Sequence, residues 1–304
     1  MIEYYNSIIF NNITYSIDMI RLRLDFGVED RITEFGQWCN SIENLHIETF
    51  PLSTKAFSYR YLFKVRCDNN KSFVCGLGFN GTDGESAVLG FLEFNPNKVA
   101  SDRKFLEFFE TLKKFCPRTD LVRWDLAIDV PISREYCSLI KDKRKYGLVR
   151  NSIQDCTEYL GQRSSSGFVK LYNKTIEDDL ENDITRLEIT VDGKMNYSEF
   201  CTLVPNIDIS DYQLSFIEND VALSSTDSLI VDLMRKLPLS ERQFYFKRLN
   251  TYKQTKLRPL IYPKIQEKDV FVIPKEIYGR LKRQARDFDF GTHYDFLDNA
   301  KDLL

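Results

Sequence analysis

Three segments in the middle of the chain alternate between polar and apolar residues, and they cover 123–129, 159–174 and 186–190. Successive side chains of a β-strand point to opposite faces, so each alternating stretch predicts a strand with one buried face. The apolar residues that we expect on the buried faces are Trp124, Leu126, Ile128, Val130, Val169, Leu171, Leu187 and Ile189.

The opposite faces of these predicted strands carry charged residues and a tyrosine. Their members are Arg123, Asp125, Ala127, Asp129, Lys170, Tyr172, Lys174, Arg186, Glu188 and Thr190. Three adjacent strands of this kind would place carboxylates, basic groups and a phenol hydroxyl on one sheet surface. That mixture suits metal-assisted phosphoryl chemistry.

The rest of the chain predicts an α+β fold, in which an antiparallel-sheet palm carries helices on one side. Alternation predicts strands at 13–17, 19–26, 57–65, 71–79 and 87–94, with a hairpin or loop at 79–85. Helical spacing and capping residues predict helices at 103–115, capped by Ser101 and Asp102, at 133–146 and at 175–181.

After residue 192 the pattern becomes mainly helical. Helices are predicted at 197–203, 226–236, 240–254 and 275–286; Pro274 opens the last one, and Pro259 and Pro263 interrupt the stretch before it. A boundary near residue 215 divides a palm domain, 1–215, from a basic, mainly helical region with an acidic tail, 216–304.

Composition favours a folded protein, because 43% of its 304 residues are hydrophobic and 13% are aromatic. No apolar run approaches the roughly 18 residues that a membrane span needs, and no signal sequence is evident at the start, so we expect a cytoplasmic protein without a membrane partner. Seven irregularly spaced cysteines indicate neither a disulfide framework nor a zinc site.

Charge is strongly segregated along the chain. Residues 233–286 contain 15 Lys and Arg against 4 Asp and Glu, a local charge of +11, which leaves −14 for the remainder of a chain of net charge −3. Aromatic residues alternate with these Lys and Arg residues at 242–248 and 252–258. This composition suits contacts to phosphates and stacking of nucleobases, but the solvent-facing side of a helix would have a similar composition. The candidate DNA-binding residues are Arg163, Arg242, Lys247, Arg248, Lys253, Lys282 and Arg283.

Tyr172 is the leading candidate nucleophile. Lys170 and Lys174 flank it on one strand face, so their positive charge is expected to stabilise a phenolate that attacks a phosphodiester. The alternative role is an exposed cross-strand tyrosine without catalytic function. Tyr159 is the second candidate nucleophile.

Asp125, Asp129 and Glu188 are the candidate metal ligands, because carboxylate oxygens favour Mg²⁺ or Mn²⁺. Salt bridges to Arg123 and Arg186 are the alternative, and we expect one of the three carboxylates to be structural. Four basic residues are candidates for clamping the scissile phosphate, or else they solvate the sheet edge: Arg163, Lys170, Lys174 and Arg186.

In this order, the motifs resemble the signature of the replication initiation factor family, which contains initiators of rolling-circle plasmids and related relaxases of integrative elements. The matching residues, within about 90–192, are Arg123, Asp125, Ala127, Asp129, Tyr159, Gly161, Arg163, Ser165, Tyr172, Asn173, Lys174, Glu177, Arg186 and Glu188. The segment 94–98 also resembles the turn that precedes a helix in that family.

The resemblance implies that the protein nicks one strand at an origin, keeps the 5′ phosphate on Tyr172 and releases a 3′ hydroxyl for a polymerase. The implied partners are origin DNA, both duplex and single-stranded, with a host helicase and a second copy of the chain as further candidates. Two alternatives stay open: a conjugative relaxase of the same chemistry, and a non-catalytic origin-binding regulator. The regulator predicts that Asp125, Asp129, Tyr172 and Glu188 do not converge.

Overall fold

In the computed structural model, eleven strands of the described residues form one antiparallel sheet. The structure describes residues 7–10, 13–42, 45–48, 59–80, 87–152, 155–163, 165–208, 223–235, 237, 239–261, 271 and 273–290. In chain order the strands are β1 (Ile8–Phe10), β2 (Ile13–Asp25), β3 (Leu45–Glu48), β4 (Tyr59–Arg66), β5 (Ser72–Asn80), β6 (Ala87–Phe94), β7 (Arg118–Val130), β8 (Ser138–Leu139), β9 (Tyr146–Arg150), β10 (Cys156–Leu160), β11 (Val169–Asn173), β12 (Thr185–Asp192) and β13 (Ile207–Asp208).

The large sheet has the order β3-β4-β5-β6-β2-β7-β12-β11-β10-β9, with β1 beside the start of β2, while β8 and β13 pair separately. The three segments with polar faces therefore lie on adjacent strands, as predicted. In the register, Arg186 faces Asp129 on one side and Tyr172 on the other, and Lys170 faces Glu188. The α+β fold class is confirmed.

The described residues form nine α-helices. They are α1 (Glu29–Asn40), α2 (Pro96–Val99), α3 (Arg103–Phe115), α4 (Lys174–Asp178), α5 (Tyr197–Cys201), α6 (Ser225–Arg235), α7 (Leu239–Phe246), α8 (Thr251–Ile261) and α9 (Lys275–Arg286). Phe105, Phe108 and Phe109 of α3 enter the core, and the Asp102 carboxylate caps α3 by accepting from the Lys104 amide at 2.9 Å. The bounds predicted for this helix are confirmed.

Predicted strands 13–17 and 19–26 are one long strand, β2, interrupted by a bulge between Ile17 and Met19. Helix α1 was not predicted, and it buries Ile32, Phe35 and Cys39 against the core. The predicted loop at 79–85 joins paired strands β5 and β6, but residues 81–86 lie outside the described residues.

The helix predicted at 133–146 is wrong, because this segment contains a 3₁₀ turn at Arg134–Tyr136 and the short strand β8. A buried ion pair explains the difference. Arg134 pairs with Glu158 at 2.5 Å and also donates to the carbonyl of Cys137, while the second Glu158 oxygen accepts from the Leu139 amide at 3.1 Å. The segment makes these contacts instead of the hydrogen bonds of a helix, so tertiary structure outweighs the local preference for a helix.

Glycine conformation shapes the connection between β10 and β11. Gly161 and Gly167 have φ angles of +91° and +80°, a region that glycine enters without the steric cost of a Cβ atom. At Gly167 a Cβ would also approach the Leu203 side chain to 2.9 Å. This loop sets the register that places Lys170 opposite Tyr159.

The C-terminal part is not one uniform region. Helices α6, α7 and α8 enclose their own small core, which contains Val231, Met234, Phe246, Leu257, Leu260 and Ile261. The single helix predicted at 240–254 is wrong, because this segment contains two separate helices, α7 and α8. Pro259, which was expected to interrupt the chain before the last helix, lies inside α8.

Helix α9, in contrast, packs on the palm. Tyr278 contacts Trp124 and Phe200 with ring centroids 5.6 and 4.6 Å away, and its hydroxyl donates to the Met195 carbonyl at 2.8 Å. The boundary predicted near residue 215 lies outside the described residues. Within the described part of the chain, no helix is long and apolar enough to cross a membrane, and the seven cysteines are all unpaired.

Candidate active site

The polar face of strands β7, β12 and β11 brings Tyr172 to Glu188. The Tyr172 hydroxyl donates to Glu188 Oε1 at 2.5 Å, and the Lys170 ammonium lies 3.6 Å from the centre of the Tyr172 ring. Lys170 also lies 3.9 Å from Glu188 Oε2. Tyr172 is only 5% exposed, so the lysine and the carboxylate account for much of its polar environment.

The electrostatics differ from the sequence-based expectation of a stabilised phenolate. Burial, reinforced by the negative charge of Glu188, holds the pKa of Tyr172 well above that of an ordinary tyrosine. Burial and the neighbouring Asp18 raise the pKa of Glu188 to about 7. The tyrosine is therefore a neutral phenol with a proton acceptor already in place, and near neutral pH part of that acceptor is ionised.

Lys174 does not share the position of Lys170. It is the first residue of α4, it is 4% exposed, and its ammonium is 2.7 Å from Glu177 and 2.8 Å from Asp178. Its nitrogen lies 6.0 Å from the centre of the Tyr172 ring. Lys174 therefore pairs with two carboxylates of its own helix, α4, and Lys170 is the lysine that contacts the Tyr172 ring.

Asp129 is bound on both oxygens by Arg186. The two nitrogen–oxygen distances are 2.5 and 2.6 Å, a bidentate arrangement, and the third Arg186 nitrogen donates to Asp18 Oδ1 at 3.0 Å. Both partners are largely buried, with side-chain exposures of 10% for Arg186 and 14% for Asp129. Asp129 therefore forms the salt bridge that was the alternative to metal binding, and which of the three carboxylates bind a metal stays a prediction.

Asp125 is less completely satisfied. Its Oδ1 is buried without a hydrogen-bond partner and forms a long ion pair, 3.6 Å, with Arg123 Nε, a nitrogen that is also buried and forms no hydrogen bond. Burial raises the pKa of Asp125 to about 6, with further contributions from Asp18 and Glu93, although Arg123 opposes the shift. Asp125 is thus less fully hydrogen-bonded than Asp129, whose two oxygens both accept from Arg186.

Asp18 is a site residue that sequence reasoning missed. It lies at the bulge of β2, accepts from Arg186 and from the Asn95 amide at 3.1 Å, and raises the pKa of both Asp125 and Glu188. The signal was the break in alternation between 13–17 and 19–26, where a bulge can turn a side chain toward a site.

An open cleft of about 500 Å³ borders Asp125 on the β2 and β6 side. Its acidic residues are Asp18, Glu93 and Asp125, its basic residues are Lys71, Lys98 and Arg123, and its amides include Asn70 and Asn95. Tyr172 and Glu188 lie on the other side of β7, along β11 and β12. The cleft offers both cationic groups for a phosphate and carboxylates for a cation.

The carboxylates fit a divalent cation in part. Among the described residues, no three Asp, Glu, His or Cys side chains converge as ligands, and Asp129 is occupied by Arg186. The buried Oδ1 of Asp125, which has no hydrogen-bond partner and lies 3.6 Å from Arg123, favours a further positive charge nearby. Mg²⁺ commonly uses one or two carboxylates and completes its shell with water and substrate phosphate, so a metal site at these residues stays a prediction.

Tyr159 lies on the same face, opposite Lys170 on the neighbouring strand β10. Its ring stacks on Phe168 with centroids 5.9 Å apart, and no carboxylate accepts its hydroxyl among the described residues. Arg163 is exposed in the loop that follows β10. Tyr172 therefore has the proton acceptor that Tyr159 lacks.

The candidate DNA-binding residues fall into two groups. Lys282 is 7% exposed and donates to the Met195 carbonyl at 2.7 Å, and Arg242 is 6% exposed and donates to the Leu237 carbonyl at 3.2 Å. These two side chains have structural roles because they are buried within the protein. The exposed or half-exposed candidates are Arg163, Lys247, Arg248, Lys253 and Arg283.

No protein-family model matches the chain, and no curated protein sequence matches it either. Among solved structures, the chain is similar to a rolling circle replication initiator protein from Geobacillus stearothermophilus. The TM-score is 0.33 and the identity 14%, and the alignment covers 83% of this chain and 100% of the other. A similarity this weak does not support a functional conclusion, which therefore rests on the geometry of the site.

Proposed function

We propose that the protein nicks and rejoins one strand of DNA through a covalent bond to Tyr172, and that it does so to initiate rolling-circle replication. The observation that carries this proposal is the hydrogen bond from the Tyr172 hydroxyl to Glu188. A nucleophile in contact with its own proton acceptor is the arrangement that covalent catalysis requires. The adjacent cleft supplies basic groups for a polyanionic strand.

The proposed reaction begins when Glu188 accepts the phenolic proton of Tyr172. The phenolate oxygen attacks phosphorus, the bond from phosphorus to the 3′ oxygen breaks, and the departing 3′ oxygen takes a proton from solvent. The 5′ phosphate is then esterified to Tyr172, and a 3′ hydroxyl is available to a polymerase. The reverse attack by a 3′ hydroxyl rejoins the strand without ATP, because the ester conserves the phosphodiester bond.

Within this proposal Asp125, together with phosphate oxygens of the DNA and water, would hold Mg²⁺ or Mn²⁺, while Glu188 serves as the proton acceptor. A bound divalent cation would polarise the scissile phosphate and lower the pKa of nearby hydroxyls. Arg186 fixes Asp129 and Asp18 beside these ligands, and Lys170 is placed to contact phosphate charge once DNA displaces it from the tyrosine ring.

The test is incubation of the full-length protein with supercoiled DNA from its own replicon and Mg²⁺ or Mn²⁺, followed by denaturing electrophoresis. Relaxed circles and a protein–DNA adduct are expected with the wild type and with Tyr159→Phe. Neither product is expected with Tyr172→Phe. Adduct formation that survives Tyr172→Phe but is lost in Tyr159→Phe would move the nucleophile to β10.

A conjugative relaxase would use the same residues in the same way, and it differs in the DNA site that it cuts. A non-catalytic origin-binding regulator is the second candidate. It is favoured by the 5% exposure of Tyr172 and by the engagement of Asp129 with Arg186. Tight origin binding without any adduct in the same assay would support the regulator.

A further inference from the structure

Two neighbouring aromatic side chains of α7 are about half exposed to solvent. Phe244 is 53% exposed and Tyr245 is 44% exposed, and their ring centroids are 5.3 Å apart. The guanidinium of Arg248, one helical turn beyond Phe244, lies 4.1 Å from the centre of the Phe244 ring. These three residues form one exposed cluster, which we call the aromatic–arginine face.

The aromatic–arginine face is not needed to build the core beneath it. The next residue, Phe246, is 3% exposed and packs with the small core of α6, α7 and α8. Burying a large aromatic ring contributes favourable hydrophobic free energy, so two adjacent rings left in water need another explanation. A binding surface would account for the exposure of both rings.

The charge around this face favours an anionic partner. Residues 239–261 contain six Lys and Arg but one acidic residue, Glu241. Lys253 and Lys256 are engaged by Asp227 at 3.6 and 2.7 Å, whereas among the described residues no carboxylate pairs with Lys247 or Arg248. Positive charge beside the two exposed rings is therefore incompletely neutralised.

We propose that the aromatic–arginine face binds single-stranded DNA, with unpaired bases stacked on Phe244 and Tyr245 and with Lys247 and Arg248 contacting phosphates. Nucleobases expose their π faces only when they are unpaired. Stacking of nucleobases on aromatic side chains, with basic residues nearby, is the common mode of single-strand recognition. Duplex readout uses polar side chains that match base edges, which phenylalanine lacks. The inference goes beyond the nicking reaction, since this binding needs neither Tyr172 nor a metal.

The test measures fluorescence anisotropy of a labelled oligothymidylate of about 20 nucleotides, longer than a typical single-strand site, with EDTA present. Full-length protein carrying Tyr172→Phe serves as the parent, so that cleavage cannot alter the probe. Phe244→Ser with Tyr245→Ser removes both rings, and Tyr136→Ser, at a tyrosine that is 36% exposed elsewhere on the protein, is the matched control. Thermal unfolding followed by circular dichroism checks that each variant remains folded.

We expect the double variant to bind oligothymidylate about 10- to 100-fold more weakly than its parent, because two stacking contacts are lost. The control should bind as its parent does, and a duplex probe should bind the double variant and the parent equally. An abasic probe of the same length should bind the parent as weakly as the double variant binds oligothymidylate.

Two results would overturn the proposal. One is unchanged binding of oligothymidylate by the folded double variant, and the other is equal binding of abasic and thymidine probes by the parent. Loss of self-association in the double variant, with DNA binding retained, would assign the face to a second copy of the chain instead. Failure of the nicking assay would leave all of these measurements valid.

Discussion

The Tyr172 hydroxyl donates a hydrogen bond of 2.5 Å to Glu188 Oε1, its diagonal neighbour on the next strand. Each group affects the titration of the other. The negative charge of Glu188 raises the pKa of Tyr172, and the pKa of Glu188 itself lies at about 7. Proton transfer along this bond is therefore the event that would convert an inert phenol into a nucleophile.

Glu188→Gln should slow formation of the protein–DNA adduct by about 10²- to 10⁴-fold, since the amide accepts the hydrogen bond but does not take the proton. In the wild type, the initial rate of adduct formation should rise with pH through a midpoint near 7, where Glu188 becomes ionised. The Gln variant should lack this rise. Rates measured on one DNA substrate across this pH range make the comparison.

Glu181→Gln, at an exposed carboxylate just beyond α4, is the matched control for that experiment. It should retain both the rate and the pH midpoint of the wild type. A Glu188→Gln variant with the wild-type rate would exclude Glu188 as the proton acceptor.

The two faces of β7 could be predicted from the sequence because strand alternation is local. Trp124, Leu126 and Ile128 are all fully buried, and Asp125 and Asp129 lie on the other face as the period of two requires. The adjacency of β7, β12 and β11 was also predicted, and it determines which polar residues can meet.

Long-range contacts account for what could not be predicted. Asp18 reaches the site through a bulge in β2 that is paired with β7 more than a hundred residues later in the chain. The ion pair between Arg134 and Glu158 outweighs the helical pattern at 133–146, and a contact between such distant residues cannot be predicted from a local pattern. The raised pKa of Tyr172 depends on burial, whereas the sequence indicates only that lysines are nearby.

Asp129→Asn should destabilise the protein by about 3 kcal/mol, because it leaves the buried Arg186 guanidinium without its bidentate partner. Asp18, at 3.0 Å, would compensate in part. Chemical denaturation at neutral pH measures the change in unfolding free energy. An Asn variant as stable as the wild type would mean that the ion pair contributes nothing net.

Asp125→Asn should have the opposite effect on stability. The folded pKa of Asp125, about 6, lies above the ordinary value of 3.8, so its contribution to stability is fully present below pH 3.8 and is lost as pH rises through 6. The Asn side chain avoids this loss, and above pH 6 the variant should be more stable than the wild type by about 1 to 3 kcal/mol. Denaturation midpoints at several pH values test the sign.

Glu158→Ala should cost about 3 to 5 kcal/mol, because it leaves Arg134 charged and buried and also removes the acceptor for the Leu139 amide and the Tyr146 hydroxyl. Glu110→Ala breaks an exposed pair with Lys113 and should change stability by less than about 0.5 kcal/mol. Unfolding free energies of the two variants give the contrast. Equal effects would remove the physical reason offered for the missing helix at 133–146.

Mn²⁺ should raise the unfolding temperature of the wild type, because a cation that binds only the folded state stabilises it as its concentration exceeds the dissociation constant. The increase should disappear in Asp125→Asn, which removes the proposed ligand, and it should persist in Glu188→Gln. The increase should persist in Asp129→Asn, relative to the lower unfolding temperature of that variant without Mn²⁺. The reason is that Arg186 already occupies both oxygens of Asp129. An increase that is lost only in Asp129→Asn would instead identify Asp129 as the ligand and would require Arg186 to release it when the metal binds.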